Sequence, residues 1–124
     1  MMVVLLLLLA ALPVPSMMEL VLDGDVKEKL PYAQGIYILA EGLVNGFPYW
    51  YHQDGMKAIW SIGYSYWMVG DIEDLGKAIG YIAVPFESKE WPTQIIDGFL
   101  LFYNMNWYTA SLKEVSFKDC KYKI

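Results

Sequence analysis

From residue 35 onward, short runs of aromatic and β-branched residues are separated by turn dipeptides, and this pattern strongly limits the folds open to the chain. Asn45-Gly46 and Asp54-Gly55 are the clearest of these signals, because a two-residue hairpin turn of type I′ needs positive φ at both central positions. The two dipeptides lie nine residues apart and separate runs at 35–41, 47–52 and 57–63. The sequence therefore predicts a three-stranded antiparallel meander.

Further runs of the same kind continue toward the end of the chain, at 64–69, 81–84, 99–103 and 107–117. The polar residues 85–98 are expected to cross the surface, and residues 17–34 to form a lead-in arm that is either a short helix or irregular. We predict an all-β fold, an antiparallel meander that forms a small sandwich or a partly closed barrel. A single all-β domain is placed at 35–120, followed by a tail at 121–124.

The first sixteen residues carry no charge and have the pattern of a secretory leader. Their unbroken apolar run at 3–12 is shorter than the ~20 residues that a membrane-spanning helix needs. Val14-Pro15-Ser16 supplies small residues ahead of Met17, so we predict a signal peptide at 1–16 with cleavage before Met17. The protein is then secreted and extracellular. The alternative is an uncleaved membrane anchor through residues 1–16.

The charge of the chain argues against two classes of partner. The formal net charge is −5, and all nine basic residues are lysines. Nucleic-acid binding relies on basic patches and on the bidentate contacts of arginine, so no nucleic-acid partner is predicted. The lysines form no dense polybasic cluster, so no membrane partner is predicted once the leader is cleaved.

Cys120 is the only cysteine of the chain, so no disulfide forms within it. An odd cysteine in a secreted protein suggests a bridge to a second chain. Cys120 is therefore a candidate for an intermolecular disulfide, in a homodimer or a matrix component. The alternatives are a partly buried thiol at the end of the last strand and a bridge that needs a larger parent chain.

No motif in the sequence predicts catalysis, a cofactor or a metal. His52 is the only histidine, and a small hydrolase that pairs it with a carboxylate is the least favoured function. The acidic residues that begin at Asp71 resemble a calcium loop, but Leu75 and Ile82 occupy positions where an EF-hand needs ligands. A solvated acidic turn is favoured there over an irregular calcium site.

The aromatic residues are the more informative feature. Strict alternation along 47–52 sends Phe47, Tyr49 and Tyr51 toward the core, and leaves Trp50 partly exposed beside His52. An exposed tryptophan on a sheet can stack on a sugar ring or contact an apolar side chain of a protein. Trp50 and His52 are therefore the candidate ligand-binding residues. The alternative is that both sheet faces are covered, one of them by the arm 17–34.

Three further tryptophans are expected in the core: Trp67, Trp91 and Trp107.

The runs G-I-Y-I-L at 35–39, V-N-G-F-P-Y-W at 44–50, W-M-V-G at 67–70 and Y-I at 81–82 resemble a small all-β module. This unnamed module occurs in extracellular and multidomain proteins of invertebrates and protists. The resemblance covers about residues 35–117 and implies the fold alone, since no function is known for the module. Phe47 stands where the module usually has Arg or Lys.

These observations together predict a secreted, non-enzymatic binding or interaction module that uses exposed aromatic residues to contact a protein or glycan ligand. A disulfide-linked homodimer or matrix component joined through Cys120 is the main alternative.

Overall fold

The computed structural model describes residues 13–63, 66–85, 91–95, 98–110 and 114–120. The chain is all-β, as predicted, and its nine antiparallel strands form one sheet. The strands are β1 Met17–Leu22, β2 Gly35–Leu39, β3 Trp50–His52, β4 Lys57–Ser61, β5 Tyr66–Asp71, β6 Ile82–Pro85, β7 Leu100–Tyr103, β8 Asn106–Thr109 and β9 Val115–Asp119.

The sheet is a meander whose last strand returns to its beginning. The spatial order is β8-β7-β6-β5-β4-β3-β2-β1-β9, so β9 pairs with β1 and the two edges are β8 and β9. The sheet curls into a half-barrel, which agrees with the partly closed barrel rather than with the sandwich. Within the described residues no ladder joins β8 to β9, so the barrel has an open seam between them.

The predicted lead-in arm at 17–34 is more ordered than expected, and it belongs to the sheet. β1 lies between β2 and β9, with Met18 opposite Tyr37 and Leu20 opposite Phe117. After β1 comes helix α1, Gly24–Lys29, and then a 3-10 turn at Pro31–Ala33. The sheet therefore begins at residue 17 rather than at the predicted domain start at residue 35.

Both predicted turn dipeptides form turns. Asn45 and Gly46 have φ of 53° and 82°, and the backbones of Val44 and Phe47 bond to each other in both directions across them. This tight turn stands apart from the sheet as an isolated bridge, and β3 begins only at Trp50. At the second dipeptide, Gly55 has φ of 76° in the connection from β3 to β4.

The inner face of the curl holds the main core, at whose centre three tryptophan rings meet. Trp50 lies 5.6 Å from Trp67 and 6.3 Å from Trp91, centroid to centroid. Trp91 precedes a 3-10 turn at Pro92–Gln94, and both Pro92 and Ile95 are buried. The segment 91–95 therefore packs into the half-barrel, although the prediction placed the whole of 85–98 on the surface.

Helix α1 also closes the inner face. Val26 of the helix, together with Leu30 and Ala33 just after it, is at most 1% exposed and joins the same core as the strands. The amphipathic helix thus covers apolar strand residues that a half-barrel would otherwise leave open to water.

A smaller apolar cluster covers part of the outer face. Its centre is Trp60, whose indole N–H donates to the carbonyl of Lys77 at 2.9 Å. The ring lies over Gly70, where an added Cβ would be 2.8 Å from its Cη2 atom. This close approach explains why a glycine ends the W-M-V-G run.

In the described part of the chain, no helix is long and apolar enough to cross a membrane.

Candidate functional site

A cleft of about 400 Å³ opens beside the seam of the half-barrel. One wall is helix α1, the other is the hairpin of β7 and β8, and Glu114 completes the lining just before β9 begins. This volume lies toward the lower end of the roughly 300–1,000 Å³ found for small-molecule sites, which often occur in the mouths of β-barrels. The cleft beside the seam is therefore large enough for a small ligand.

Two tyrosines form the aromatic part of the cleft. Tyr103 is 41% exposed and Tyr108 is 44% exposed, and both belong to the lining. In the register of the hairpin, Tyr108 is opposite Leu101 and Tyr103 is opposite Asn106, so the two tyrosines are diagonal neighbours on the inner face. Both side chains line the same cleft.

The polar part of the cleft is held in place by backbone bonds between α1 and Glu114. The Glu114 carboxylate accepts from the Asp25 N–H at 3.0 Å, and the Glu114 carbonyl accepts from the Asp23 N–H at 3.0 Å. Gly24 has φ of 55°, and an added Cβ there would lie 2.7 Å from the Glu114 carboxylate. The start of α1 is thus tied to the residue before β9, which holds these two parts of the cleft lining together.

Lys29 supplies the positive charge of the cleft. Its Nζ lies 5.7 Å from the centroid of the Tyr103 ring, within the range of a cation–π contact. The same cleft contains the carboxylates of Asp25 and Glu114 and the hydroxyl of Thr109. The site therefore offers aromatic faces, hydrogen-bond acceptors and hydrogen-bond donors within one concave surface.

Trp50, the principal predicted contact residue, lies in the core instead. It is 0% exposed, and its indole N–H donates to the carbonyl of Pro15 at 2.7 Å. Tyr51, predicted to face the core, is 39% exposed. The faces are reversed because β3 begins at Trp50, so alternation counted from Phe47 does not continue through Pro48 into the strand. The prediction of an exposed Trp50 was wrong, and the alternative of two covered faces does not hold for this strand either, because Tyr51 is exposed on the other face.

His52 is held by backbone groups at both ring nitrogens. Nε2 lies 2.8 Å from the carbonyl of Gln34, and Nδ1 accepts from the Asp54 N–H at 3.0 Å. Together these bonds favour the tautomer protonated at Nε2. The ring also packs edge-on against Tyr37, 4.9 Å between centroids. His52 thus links the β3–β4 turn to the residue before β2, and its assignment as a ligand-binding residue stays a prediction.

A small polar network extends from His52 along the turn into β4. Asp54 forms an ion pair with Lys57 and accepts from the Met56 N–H at 2.7 Å. Burial alone would raise the pKa of the Asp54 carboxyl, but the hydrogen bonds from Lys57 and Met56 and the charge of Lys57 hold that pKa below its usual value. The network stabilises the turn that the Asp54-Gly55 dipeptide predicted.

Tyr37 packs against this network from the core side. It is 0% exposed, and its hydroxyl donates to the carbonyl of Ala33 at 2.6 Å. Burial raises the pKa of Tyr37 far above its ordinary value, and the nearby charge of Asp54 raises it further. Tyr37 therefore stays neutral in the folded protein throughout the physiological range.

Cys120 follows β9 and is 6% exposed. Its backbone N–H donates to the carbonyl of Met17 at 3.0 Å, which extends the pairing of β9 with β1. The thiol would have to leave this buried position before it could bridge to a second chain. The burial agrees with the thiol at the end of the last strand, and the intermolecular disulfide stays a prediction.

The outer face has an apolar groove of about 230 Å³, bordered by Trp107. Trp107 was expected in the core, but it lies on edge strand β8 and is 45% exposed. Its ring packs against Phe102 at 5.1 Å between centroids. Because the outermost strand has no neighbour beyond it in the described sheet, one flank of this ring stays in water.

The acidic turn after β5 brings three carboxylates together. Ligand atoms of Asp71, Glu73 and Asp74 lie within 4.8 Å of one another, and Asp74 also approaches the Lys77 ammonium at 3.9 Å. Asp71 and Asp74 are partly exposed, and Glu73 is exposed. This spacing would also suit a cation, so the solvated acidic turn that the sequence favoured stays a prediction.

No family model, curated protein or solved structure significantly matches the chain. The resemblance to an extracellular all-β module thus stays a prediction from the sequence motifs.

The sequence reasoning missed Tyr103 and Tyr108 as site residues. The local signal was present, because two aromatic runs flank the turn at 104–106. The structure confirms a tight turn there, with φ of 52° at Asn104 and 69° at Met105. What the sequence could not show is that α1, more than seventy residues earlier, lies opposite this hairpin.

Proposed function

We propose that the protein is a secreted, non-enzymatic binding module that takes a neutral saccharide in the cleft between α1 and the β7–β8 hairpin. The observation that carries the proposal is the convergence of two exposed tyrosines with carboxylate, ammonium and hydroxyl groups around one concave surface. This placement replaces Trp50 and His52 as the contact residues and keeps the predicted use of exposed aromatic side chains.

The tyrosines suit a ligand with one apolar and one polar aspect. A sugar ring presents C–H groups on its faces and hydroxyl groups at its edge, and tyrosine offers an apolar ring with a polar tip. Tyr103 and Tyr108 would contact the C–H face of a ring. The carboxylates of Asp25 and Glu114 would accept from its hydroxyl groups, while Lys29 would donate to them.

The charges favour neutral over acidic glycans. Two carboxylates and one ammonium line the cleft, and the whole chain has a formal net charge of −5. A sulfated or uronic acid-rich glycan would meet repulsion both at the site and during approach. Neutral sugars would carry no such penalty.

The absence of catalysis in this proposal rests on how His52 is bonded. Both of its ring nitrogens face backbone groups within 3.0 Å, so neither is directed at a substrate. Within the cleft, the Glu114 carboxylate is a backbone acceptor at the start of α1. These roles favour binding over hydrolysis.

The test is a glycan array that contains both neutral and sulfated oligosaccharides, probed with the wild-type protein and three tyrosine variants. Tyr103→Ala and Tyr108→Ala change the cleft. Tyr51→Ala is the matched control, because Tyr51 is similarly exposed, at 39%, but is not part of the cleft lining. The best neutral glycan of the array is then titrated against each protein by calorimetry.

We expect neutral glycans to bind, and each cleft variant to weaken binding by about 10- to 30-fold, because truncation of a central aromatic contact typically costs roughly 1.4–2 kcal/mol. Tyr51→Ala should bind as the wild type does. Binding of sulfated glycans alone, equal losses in all three variants, or no binding to any glycan would each overturn the proposal.

A further inference from the structure

Residues 14–16, just before β1, pack and form hydrogen bonds within the fold, although the sequence predicts their removal with the leader. Pro15 is buried, and Val14 is half-buried and packs against the main core. The carbonyl of Ser16 accepts from the Leu39 N–H at 3.0 Å, which continues the pairing of β1 with β2. These residues thus extend the sheet beyond Met17.

The strongest contact is the one between Pro15 and Trp50. The Pro15 carbonyl accepts the indole N–H of Trp50 at 2.7 Å, and the Trp50 side chain is 0% exposed. An indole has a single hydrogen-bond donor and no acceptor, so one partner satisfies it completely. A buried tryptophan nearly always finds such a partner, because water cannot replace it there.

A chain that began at Met17 would lose this acceptor. The Trp50 N–H would be left in the core without it, and the Leu39 N–H would lose the Ser16 carbonyl. A new ammonium group would also stand at Met17, directly beside the fully buried Met18. Loss of a buried hydrogen-bond partner typically raises the fraction of unfolded protein by about 5- to 150-fold.

We propose that the mature protein retains Pro13–Ser16 as part of its folded domain, and that processing of the apolar leader takes place N-terminal to Pro13 rather than before Met17. Small residues suited to a leader peptidase also occur on that side, at Ala10 and Ala11. The inference does not depend on the glycan cleft, because neither Pro15 nor Trp50 lines that cleft.

The first test is to express the full-length gene in a eukaryotic secretory host and to determine the N-terminal residue of the product by intact mass and peptide sequencing. We expect a chain that begins at Pro13 or earlier. An uncleaved product would retain Pro13–Ser16 but would overturn the proposed processing N-terminal to Pro13. A folded product that begins at Met17 would overturn the proposal.

The second test asks whether the Pro15–Trp50 hydrogen bond is the reason that the folded protein needs residues 13–16. A foreign leader is joined at Pro13 in one gene and at Met17 in another, each with Trp50 or with Trp50→Phe, and the melting temperature of each secreted product is measured. We expect the Met17 form to melt lower by about 5 °C or more, or to fail secretion while the Pro13 form succeeds.

Trp50→Phe separates this bond from general trimming of the terminus. In the Pro13 form the substitution removes the indole N–H together with its bond and should lower the melting temperature. In the Met17 form the acceptor is already gone, so the substitution should cost much less. Equal melting temperatures for the Pro13 and Met17 forms, or the same cost of Trp50→Phe in both, would show that the segment has no such role.

Discussion

Replacing Trp50 with alanine should greatly lower the free energy of unfolding, whereas the same change at Trp107 should lower it only slightly. The two residues are of the same type but lie in opposite environments. Trp50 is 0% exposed at the centre of the main core, and Trp107 is 45% exposed on edge strand β8. Comparing the two substitutions therefore tests whether Trp50 is buried in the core, as observed, or exposed on the surface of β3, as the sequence predicted.

The magnitude follows from what Trp50 contacts. Its ring meets Trp67 and Trp91 edge-on or nearly so, and such pairs contribute about 0.5–1.5 kcal/mol each beyond simple burial. Its N–H bond to Pro15 adds about 1 kcal/mol. With the cavity left behind, truncation of a buried tryptophan costs about 3–5 kcal/mol. The total free energy of unfolding of a domain of this size is only about 5–15 kcal/mol.

The assay is urea denaturation followed by far-ultraviolet circular dichroism, which does not depend on tryptophan emission. We expect Trp50→Ala to lower the free energy of unfolding by about 3–5 kcal/mol, and Trp107→Ala by about 1 kcal/mol or less. The slope with urea should stay unchanged for both, since neither change alters the surface exposed on unfolding by much. A loss below about 1 kcal/mol at Trp50, or a larger loss at Trp107, would refute the placement of Trp50 in the core.

Two further changes test the core at other points. Tyr37→Phe removes the bond to Ala33 and should cost about 1–2 kcal/mol at neutral pH. Because burial raises the pKa of Tyr37, only the unfolded chain loses the Tyr37 phenolic proton just above about pH 10. The free energy of unfolding of the wild type then falls by about 1.4 kcal/mol per pH unit, and the variant, which has no phenol at this position, does not show this decrease. The difference in free energy of unfolding between the wild type and Tyr37→Phe, measured by urea denaturation, should therefore shrink to near zero at about pH 11. A difference that stays constant with pH would contradict this reasoning. Gly70→Ala places a methyl group 2.8 Å from Trp60 and 3.0 Å from Gly80. It should lower the free energy of unfolding by about 1–3 kcal/mol, and an unchanged melting temperature would contradict this expectation.

The features of the fold that depend on local chemistry could be predicted from the sequence. Asn45-Gly46 and Asp54-Gly55 form turns because glycine and asparagine tolerate positive φ, a property that does not depend on distant residues. The strands on either side of these turns follow from their aromatic and β-branched composition. The all-β class and the antiparallel meander therefore required no knowledge of the tertiary structure.

The position of β1 could not be predicted in the same way. Its residues alternate between buried and half-buried, with Met18, Leu20 and Leu22 inside. Its partners, however, are β2 and β9, and β9 lies near the other end of the chain. A strand whose neighbour is so distant in sequence has no turn dipeptide beside it to indicate the pairing. The sequence pattern alone left helix and irregular arm as the apparent choices.

The prediction of the orientation of Trp50 was wrong for a different reason. Alternation assigns faces only when the first residue of the strand is known, and an error of one residue exchanges the faces. The tight turn at Asn45-Gly46 forms its own small bridge, and Pro48 lies between it and β3. Phe47 and Trp50 consequently both pack into the main core, three residues apart, which strict alternation forbids.

The candidate site combines both kinds of difficulty, and this explains why its residues were recognisable only one at a time. The hairpin with Tyr103 and Tyr108 is a local feature, but its cleft exists only because the sheet stops curling before β8 reaches β9. The opposite wall is α1, which Glu114 ties to the start of β9 through the backbone of Asp23 and Asp25. A closed barrel would have paired the two edges and left no seam. The same incomplete closure that leaves a strand edge unpaired is therefore what gives this small domain room for a ligand.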